Sequence, residues 1–342
     1  MKALAVDPTR LTHPPDCFAE IAVEPPTLRA RDLLVRVRAV SINPVDYKVR
    51  SSIQDKQSAP QILGWDAAGV VEQVGSQVSL FKPGDEVYYA GNITRPGSNS
   101  ELHAVDERIV GRKPARLSFE QAAALPLTTI TAWEGLFERM GISDQKSEIN
   151  HGKHLLIIGG AGGVGSIAIQ LAKQVAGLTV IATASRPETV DWCLRMGADY
   201  TINHHQSFKS ELEGTGIQDV DYIFCLNDTE QHLVNMAETI KPQGKICSIV
   251  ETEHSIDMNL LKNKSVTFAW EFMFTRSIYE TNDMQAQHDL LNKVSTLVDQ
   301  QIIESTMTEC LGSLTPENLA KAHAQLESGR TIGKLVLSGF AQ

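Results

Sequence analysis

Apolar and polar positions follow two different rhythms along this chain of 342 residues. Up to about Leu125 the apolar runs are short and interrupted by turn residues. Residues 33–40 alternate in part, Ala67-Ala68-Gly69-Val70-Val71 is a short apolar run, and Lys82-Pro83-Gly84-Asp85 makes a turn before Glu86-Val87-Tyr88-Tyr89. Short strands separated by turns predict a barrel-like β domain. From about Thr128 onward, continuous apolar runs alternate with stretches of helical spacing. Strands are predicted over 155–158, 179–182, 222–226, 245–250 and 265–270. That alternation predicts parallel strands joined by crossover helices, an α/β architecture with a doubly wound sheet. A helix over 282–301 follows, then a strand, a helix over about 316–327 and a last strand over 334–337.

One junction in this pattern carries chemistry. The buried-strand run Leu155-Leu156-Ile157-Ile158 leads directly into Gly159-Gly160-Ala161-Gly162-Gly163-Val164-Gly165. Val164, Ile167, Ala168, Leu171, Ala172 and Val175 then recur at helical spacing. Strand, Gly160-x-Gly162-x-x-Gly165 and helix together form a dinucleotide-binding fingerprint. The first glycine permits the turn, the second admits a pyrophosphate to the backbone, and the third lets helix and strand pack closely. The helix N-terminus offers N–H groups and a positive dipole end to the phosphates.

Composition narrows the partners. Lysine and arginine number 31 against 41 acids, a net charge of −10, which argues against nucleic acid or an anionic membrane as partner. No apolar run reaches membrane-spanning length, and the first residues lack the apolar core of a secretory leader. Cys17, Cys193, Cys225, Cys247 and Cys310 are odd in number and widely spaced, which suits reduced thiols in a cytoplasmic protein.

Several segments together resemble the medium-chain dehydrogenase/reductase superfamily. They are Gly64-Trp65-Asp66-Ala67-Ala68-Gly69-Val70-Val71, Phe81-Lys82-Pro83-Gly84-Asp85-Glu86-Val87, Leu125-Pro126-Leu127-Thr128 and the glycine turn at 160–165, in that order. The likeness is strongest to the quinone oxidoreductase branch and its zinc-type alcohol dehydrogenase-like proteins. It implies a GroES-like catalytic domain over 1–126 and 275–342, interrupted by a Rossmann cofactor domain over 127–274. Zinc enzymes of the superfamily carry a cysteine and a Gly-His-Glu among their ligands. The corresponding positions here are Asn43 and Trp65, neither a plausible zinc ligand, so no metal is expected.

The second Rossmann strand runs into Ala184-Ser185-Arg186 with no acid to hold a ribose 2′-hydroxyl. Ser185 and Arg186 suit a 2′-phosphate, so the expected cofactor is NADPH. His204 falls where relatives place a tyrosine near that phosphate; a surface histidine is the alternative. The resemblance further implies cofactor contacts from Asn43, Lys48, Thr128, Thr131, the turn residues Gly160, Ala161, Gly162, Gly163, Val164 and Gly165, and a C-terminal Gly333-Lys334 segment. Tyr47 is a candidate proton donor or pocket wall, and Asn43 and Tyr47 are the catalytic candidates. Trp65 would wall the pocket, and the loops 51–60 and 272–282 would shape it.

Without a metal to stabilise an alkoxide, substrates that delocalise the incoming charge are favoured. The expected activity is hydride transfer from NADPH to a quinone or a conjugated enone or enal. Two alternatives are an NADPH-holding sensor or structural protein with little turnover, and a zinc-dependent alcohol dehydrogenase, which Asn43 and Trp65 disfavour. The β-prone run 265–274 ends the strand–helix series and is expected at a sheet edge, where a second copy would pair with it in a homodimer.

Overall fold

The computed structural model describes residues 1–10, 17–53 and 59–341. Of the loop expected at 51–60, residues 54–58 lie outside the described residues. The chain divides into two compact units: Met1–Ile130 with Phe274–Gln342, and Thr131–Met273.

The first unit is built on β strands. Strands β1 (Lys2–Val6), β2 (Phe18–Ala22) and β4 (Gln61–Ile62) form a small sheet in the order β2-β1-β4. The larger sheet holds β3 (Asp32–Ser41), β5 (Asp66–Val74), β6 (Glu86–Tyr89), β7 (Leu102–Asp106), β8 (Val110–Arg112), β15 (Met307–Ser313) and β16 (Lys334–Ser338). Its order is β15-β16-β3-β5-β6-β8, with β7 also pairing β3. The C-terminal strand therefore returns to the N-terminal half. Val336 pairs with Ser41, and the Ser41 hydroxyl donates to the Leu335 carbonyl at 2.8 Å across 294 sequence positions.

The second unit is a six-stranded sheet in the order β11-β10-β9-β12-β13-β14, with every adjacent pair parallel. The strands are β9 (His154–Ile158), β10 (Thr179–Thr183), β11 (Tyr200–Ile202), β12 (Val220–Cys225), β13 (Ile240–Ser248) and β14 (Thr267–Trp270). Leu156, Ile158, Ile181, Ile223 and Ile246 project from these strands into one apolar core with Phe208, Leu212, Leu233 and Met236 from helices. Burial on both faces explains why these strands read as unbroken apolar runs.

Two details depart from the sequence pattern. Strand β13 begins at Ile240, five positions before the expected 245, because its register against β12 shifts between Val220 and Tyr222. The extra residues include Gln243 at φ 62°, so Pro242-Gln243-Gly244, which reads as a break, is absorbed as an irregularity inside the strand. Strand β11 is too short, at three residues, to register as a periodic run. The run expected at a sheet edge lies there, with β14 at the end of the sheet and Trp270 and Phe272 each about half exposed (49% and 50%). No helix among the described residues is long and apolar enough to cross a membrane.

Candidate active site and cofactor cradle

In the second unit, β9 ends at Ile158 and the chain turns through Gly159, whose φ is 86°. The Gly159 N–H donates to the Thr183 hydroxyl at 2.9 Å, tying the turn to the end of β10. The three fingerprint glycines meet different surroundings. A Cβ on Gly160 would stand 2.7 Å from Ala182 Cβ, and one on Gly165 would stand 2.4 Å from the Gly159 carbonyl oxygen. Those two positions are closed by packing. A Cβ on Gly162 would meet only the Gly159 carbonyl oxygen, at 3.5 Å, an ordinary contact, so packing does not close this position. This is the division of roles that a pyrophosphate cradle requires.

The helix Gly163–Gln170 starts at this turn, with Gly162 as its N-cap. Its first N–H groups lack intrahelical acceptors and suit an anion. Ser166 and Trp192, which sequence reasoning did not single out, stiffen the start. The Ser166 hydroxyl donates to the Gly162 carbonyl at 2.7 Å and accepts the Trp192 indole N–H at 2.8 Å. At the end of β10, Ser185 and Arg186 are half-buried, and the Arg186 Nε lies 3.4 Å from Glu188. The Ala184 N–H donates to the Ile202 carbonyl at 2.9 Å, which sets His204 in the loop beside this strand end.

In the first unit, a buried polar cluster gathers around Asn43. The Asn43-Pro44-Val45-Asp46 sequence starts the helix Pro44–Ser52. Pro44 is preset for the first turn, the Asn43 N–H donates to Asp46 Oδ2 at 2.7 Å, and the Asp46 N–H donates to the Asn43 carbonyl at 2.9 Å. The Asn43 amide is wholly engaged. Its Nδ2 donates to Asp66 Oδ2 at 2.8 Å, and its Oδ1 accepts from the Lys334 ammonium. Lys334 Nζ also donates to Asp66 Oδ2 and to the Ile42 carbonyl, each at 3.0 Å. The second Asp66 oxygen accepts the Leu127 N–H at 2.7 Å. Burial is the main cause that raises the carboxyl pKa values of Asp66 and Asp46 against the pull of Lys334. Asp46, whose Oδ1 has no partner and which also feels the Asp66 charge, is pushed up to about 7.

The structure thus brings Asn43 and Lys334 into direct contact and adds Asp46 and Asp66, which the sequence reading left out. A signal for Asp66 was present: an acid inside the apolar run Gly64-Trp65-Asp66-Ala67-Ala68 demands a buried cation. Tyr47 is half-buried and Lys48 exposed on the same helix. The Thr128 hydroxyl is buried and donates to the Leu125 carbonyl at 3.1 Å, and Thr131 is buried in the same helix, Pro126–Trp133. Trp65 is 2% exposed and packs edge-on against Phe274 with ring centroids 6.1 Å apart. Among the described residues, no three His, Cys, Asp or Glu side chains are grouped to hold a metal ion.

Comparison with known proteins gives this geometry a lineage. The family model "Alcohol dehydrogenase GroES-like domain" matches residues 29–124, and "Zinc-binding dehydrogenase" matches 163–293. A zinc-type alcohol dehydrogenase-like protein of Staphylococcus epidermidis is 44% identical over 338 residues, 99% of each chain.

The chain belongs to the medium-chain dehydrogenase/reductase superfamily.

Other members share its sequence to different extents. An NADPH-dependent alkenal/one oxidoreductase of Arabidopsis thaliana is 39% identical over 192 residues, which is 52% of this chain and 46% of that protein. A Rhizobium etli structure, provisionally described as a zinc-dependent alcohol dehydrogenase, superposes with a TM-score of 0.94 at 45% identity, covering 100% of this chain and 99% of the other. The quinone oxidoreductase of Coxiella burnetii gives 0.80 at 28% identity, covering 100% and 99%. The two-part architecture, a GroES-like domain and a Rossmann domain, is that of the superfamily, and the protein is an oxidoreductase of a kind that binds a nicotinamide cofactor.

Proposed function

We propose that this protein is a zinc-independent, NADPH-dependent reductase of quinones or of conjugated enones and enals. The observation that carries the reading is the Lys334 ammonium seated between Asn43 and Asp66. Asn43 and Trp65 supply neither thiolate nor imidazole where zinc enzymes place ligands, and the amide oxygen of Asn43 is taken by an internal cation. A substrate reduced here must carry its own means of spreading charge. With a hydride and a proton from solvent a quinone becomes an aromatic hydroquinone, and an enone accepts hydride at its β-carbon to become an enolate, which a solvent proton then converts to the saturated ketone.

The second unit supports NADPH as cofactor. The Gly162 opening and the helix start suit the pyrophosphate, while Ser185 and Arg186 stand where an NAD-selecting acid would be. Bound NADPH would supply the hydride. The chain's own residues hold the rest in place: Asp46, Asp66 and Lys334 fix Asn43 and the helix that presents Tyr47 and Lys48. On this reading Tyr47 would hydrogen-bond a substrate oxygen, and Thr128 and Thr131 would border the nicotinamide. The half-exposed β14 edge favours a homodimer, and the free thiols favour a cytoplasmic setting.

The test is a panel of small quinones, enals, enones and simple ketones, followed by NADPH absorbance with and without a zinc chelator. Turnover of the conjugated substrates that survives chelation is expected. Loss of activity on chelation, restored by zinc, would overturn the reading.

A further inference from the structure

Three imidazoles crowd the end of β11. The His204 and His205 rings lie 4.1 Å apart, and His232, from the helix Thr229–Thr239, meets His204 edge-on at 6.4 Å. The inner nitrogens are unsatisfied: Nδ1 of His204 and Nδ1 of His232 are both buried without a hydrogen-bond partner, and His232 is 1% exposed. The loop itself is fixed. The Asn203 N–H donates to Glu211 at 2.8 Å, the His205 N–H donates to the Asn203 side chain at 3.0 Å, and the Ala184–Ile202 hydrogen bond holds it beside Ser185 and Arg186.

A buried Nδ1 with no acceptor favours a neutral His204 ring with its proton on Nε2. A second proton would place an unpartnered N–H inside the cluster, close to two further imidazoles. Burial and the neighbouring His205 accordingly lower the His204 pKa, and burial first, then His204, lowers that of His232, against the opposing charge of Asp228. Nearby, Glu211 accepts the Asn203 N–H, and Arg186 pairs with Glu188. What the ring lacks is an external anion.

We propose that His204 reads the cofactor's 2′-phosphate by taking up a proton, so that NADPH binding, unlike NADH binding, is coupled to protonation of this imidazole. The inference rests on the NADPH reading above. A dianion at Nε2 supplies the missing counter-charge, and an opposite charge at that range raises a histidine pKa by about 1–3 units. The ribose hydroxyl of NADH supplies none. His205 and His232 act by keeping the ring neutral until the phosphate arrives, which makes them positioning residues.

The experiment is calorimetric titration of the full chain with NADPH and with NADH at pH 7.5, in buffers of different ionisation enthalpy, which counts protons exchanged on binding. A phosphate monoester with a second pKa of about 6 is already almost fully ionised there and releases little of its own. Expected is a proton uptake with NADPH beyond that with NADH, reaching about half a proton or more when the shift is about 2–3 units. The excess should vanish in His204→Gln and persist in Arg186→Ala at weakened affinity. Equal uptake with both cofactors, or an excess that survives His204→Gln, would overturn the role of His204 alone. NADPH binding no tighter than NADH would instead overturn the cofactor reading.

Discussion

The Lys334 ammonium lies 3.0 Å from the Asp66 carboxylate, and both side chains are almost wholly buried, at 3% and 0% exposure. Removing one partner of such a pair strands the other charge in a low-dielectric interior, which costs about 3–5 kcal/mol. Lys334→Met should therefore lower the urea midpoint sharply, while Lys334→Met combined with Asp66→Asn should recover much of the loss. A single variant as stable as the parent would mean that water already screens the pair.

Asp46 makes stability fall with pH. Its folded pKa of about 7 lies above the ordinary value of 3.8, so between those values the folded chain holds a proton that the unfolded chain has released. Stability contributed by this site is therefore lost as pH rises from about 4 to 7 and is level above. Asp46→Asn keeps an oxygen for the Asn43 N–H and cannot ionise. Its stability relative to the parent should rise across that window in denaturant titrations. A constant difference from pH 4 to pH 8 would show that Asp46 titrates normally.

Arg186→Ala should weaken NADPH binding by about 1–3 kcal/mol, the worth of a charged hydrogen bond, and leave NADH nearly unchanged. Fluorescence titration with each cofactor measures both. Equal losses would place Arg186 away from the phosphate.

Tyr47→Phe should lower turnover less than tenfold. A substrate that delocalises its charge depends on one donor for less than the roughly 10²–10⁴-fold typical of a general acid. A larger fall in turnover, with cofactor affinity intact, would make Tyr47 the proton donor.

Light scattering at micromolar concentration should give about twice the 37.5 kDa chain mass. Trp270→Glu, a charge on the half-exposed end of β14, should shift the population toward monomer. A parent chain that is monomeric and fully active would show that the edge needs no second copy.

The legible parts of this fold are those with local signals. The helix Pro316–Glu327 announces itself through Thr315, whose hydroxyl accepts the Asn318 N–H at 3.2 Å, followed by Pro316 and an apolar face at Leu319, Ala320 and Ala322. The glycine turn was legible for the same reason. Strand β11 was not, because it is held by pairing with β10 rather than by its own pattern. In the candidate site, Asn43 and Lys334 were each named, yet their bond was out of reach because 291 positions separate them. Asp46 looked like an ordinary first-turn acid, a helix N-cap partner that is usually solvated. Only the packing around it makes it a buried carboxyl.

The return of β16 to β3 also orders events in time. At roughly 5–20 residues per second, the 294 positions between Ser41 and Leu335 take a ribosome about 15–60 s to deliver. Throughout that interval the nascent first unit has an open strand edge and an Asp66 without its cation, whereas Thr131–Met273 has all its residues in hand as soon as Met273 is made, before Lys334 follows. The inner unit is thus the one that can finish during synthesis. A chain that stopped short of Lys334 would leave its N-terminal third condemned to wait, a substrate for chaperones and proteases.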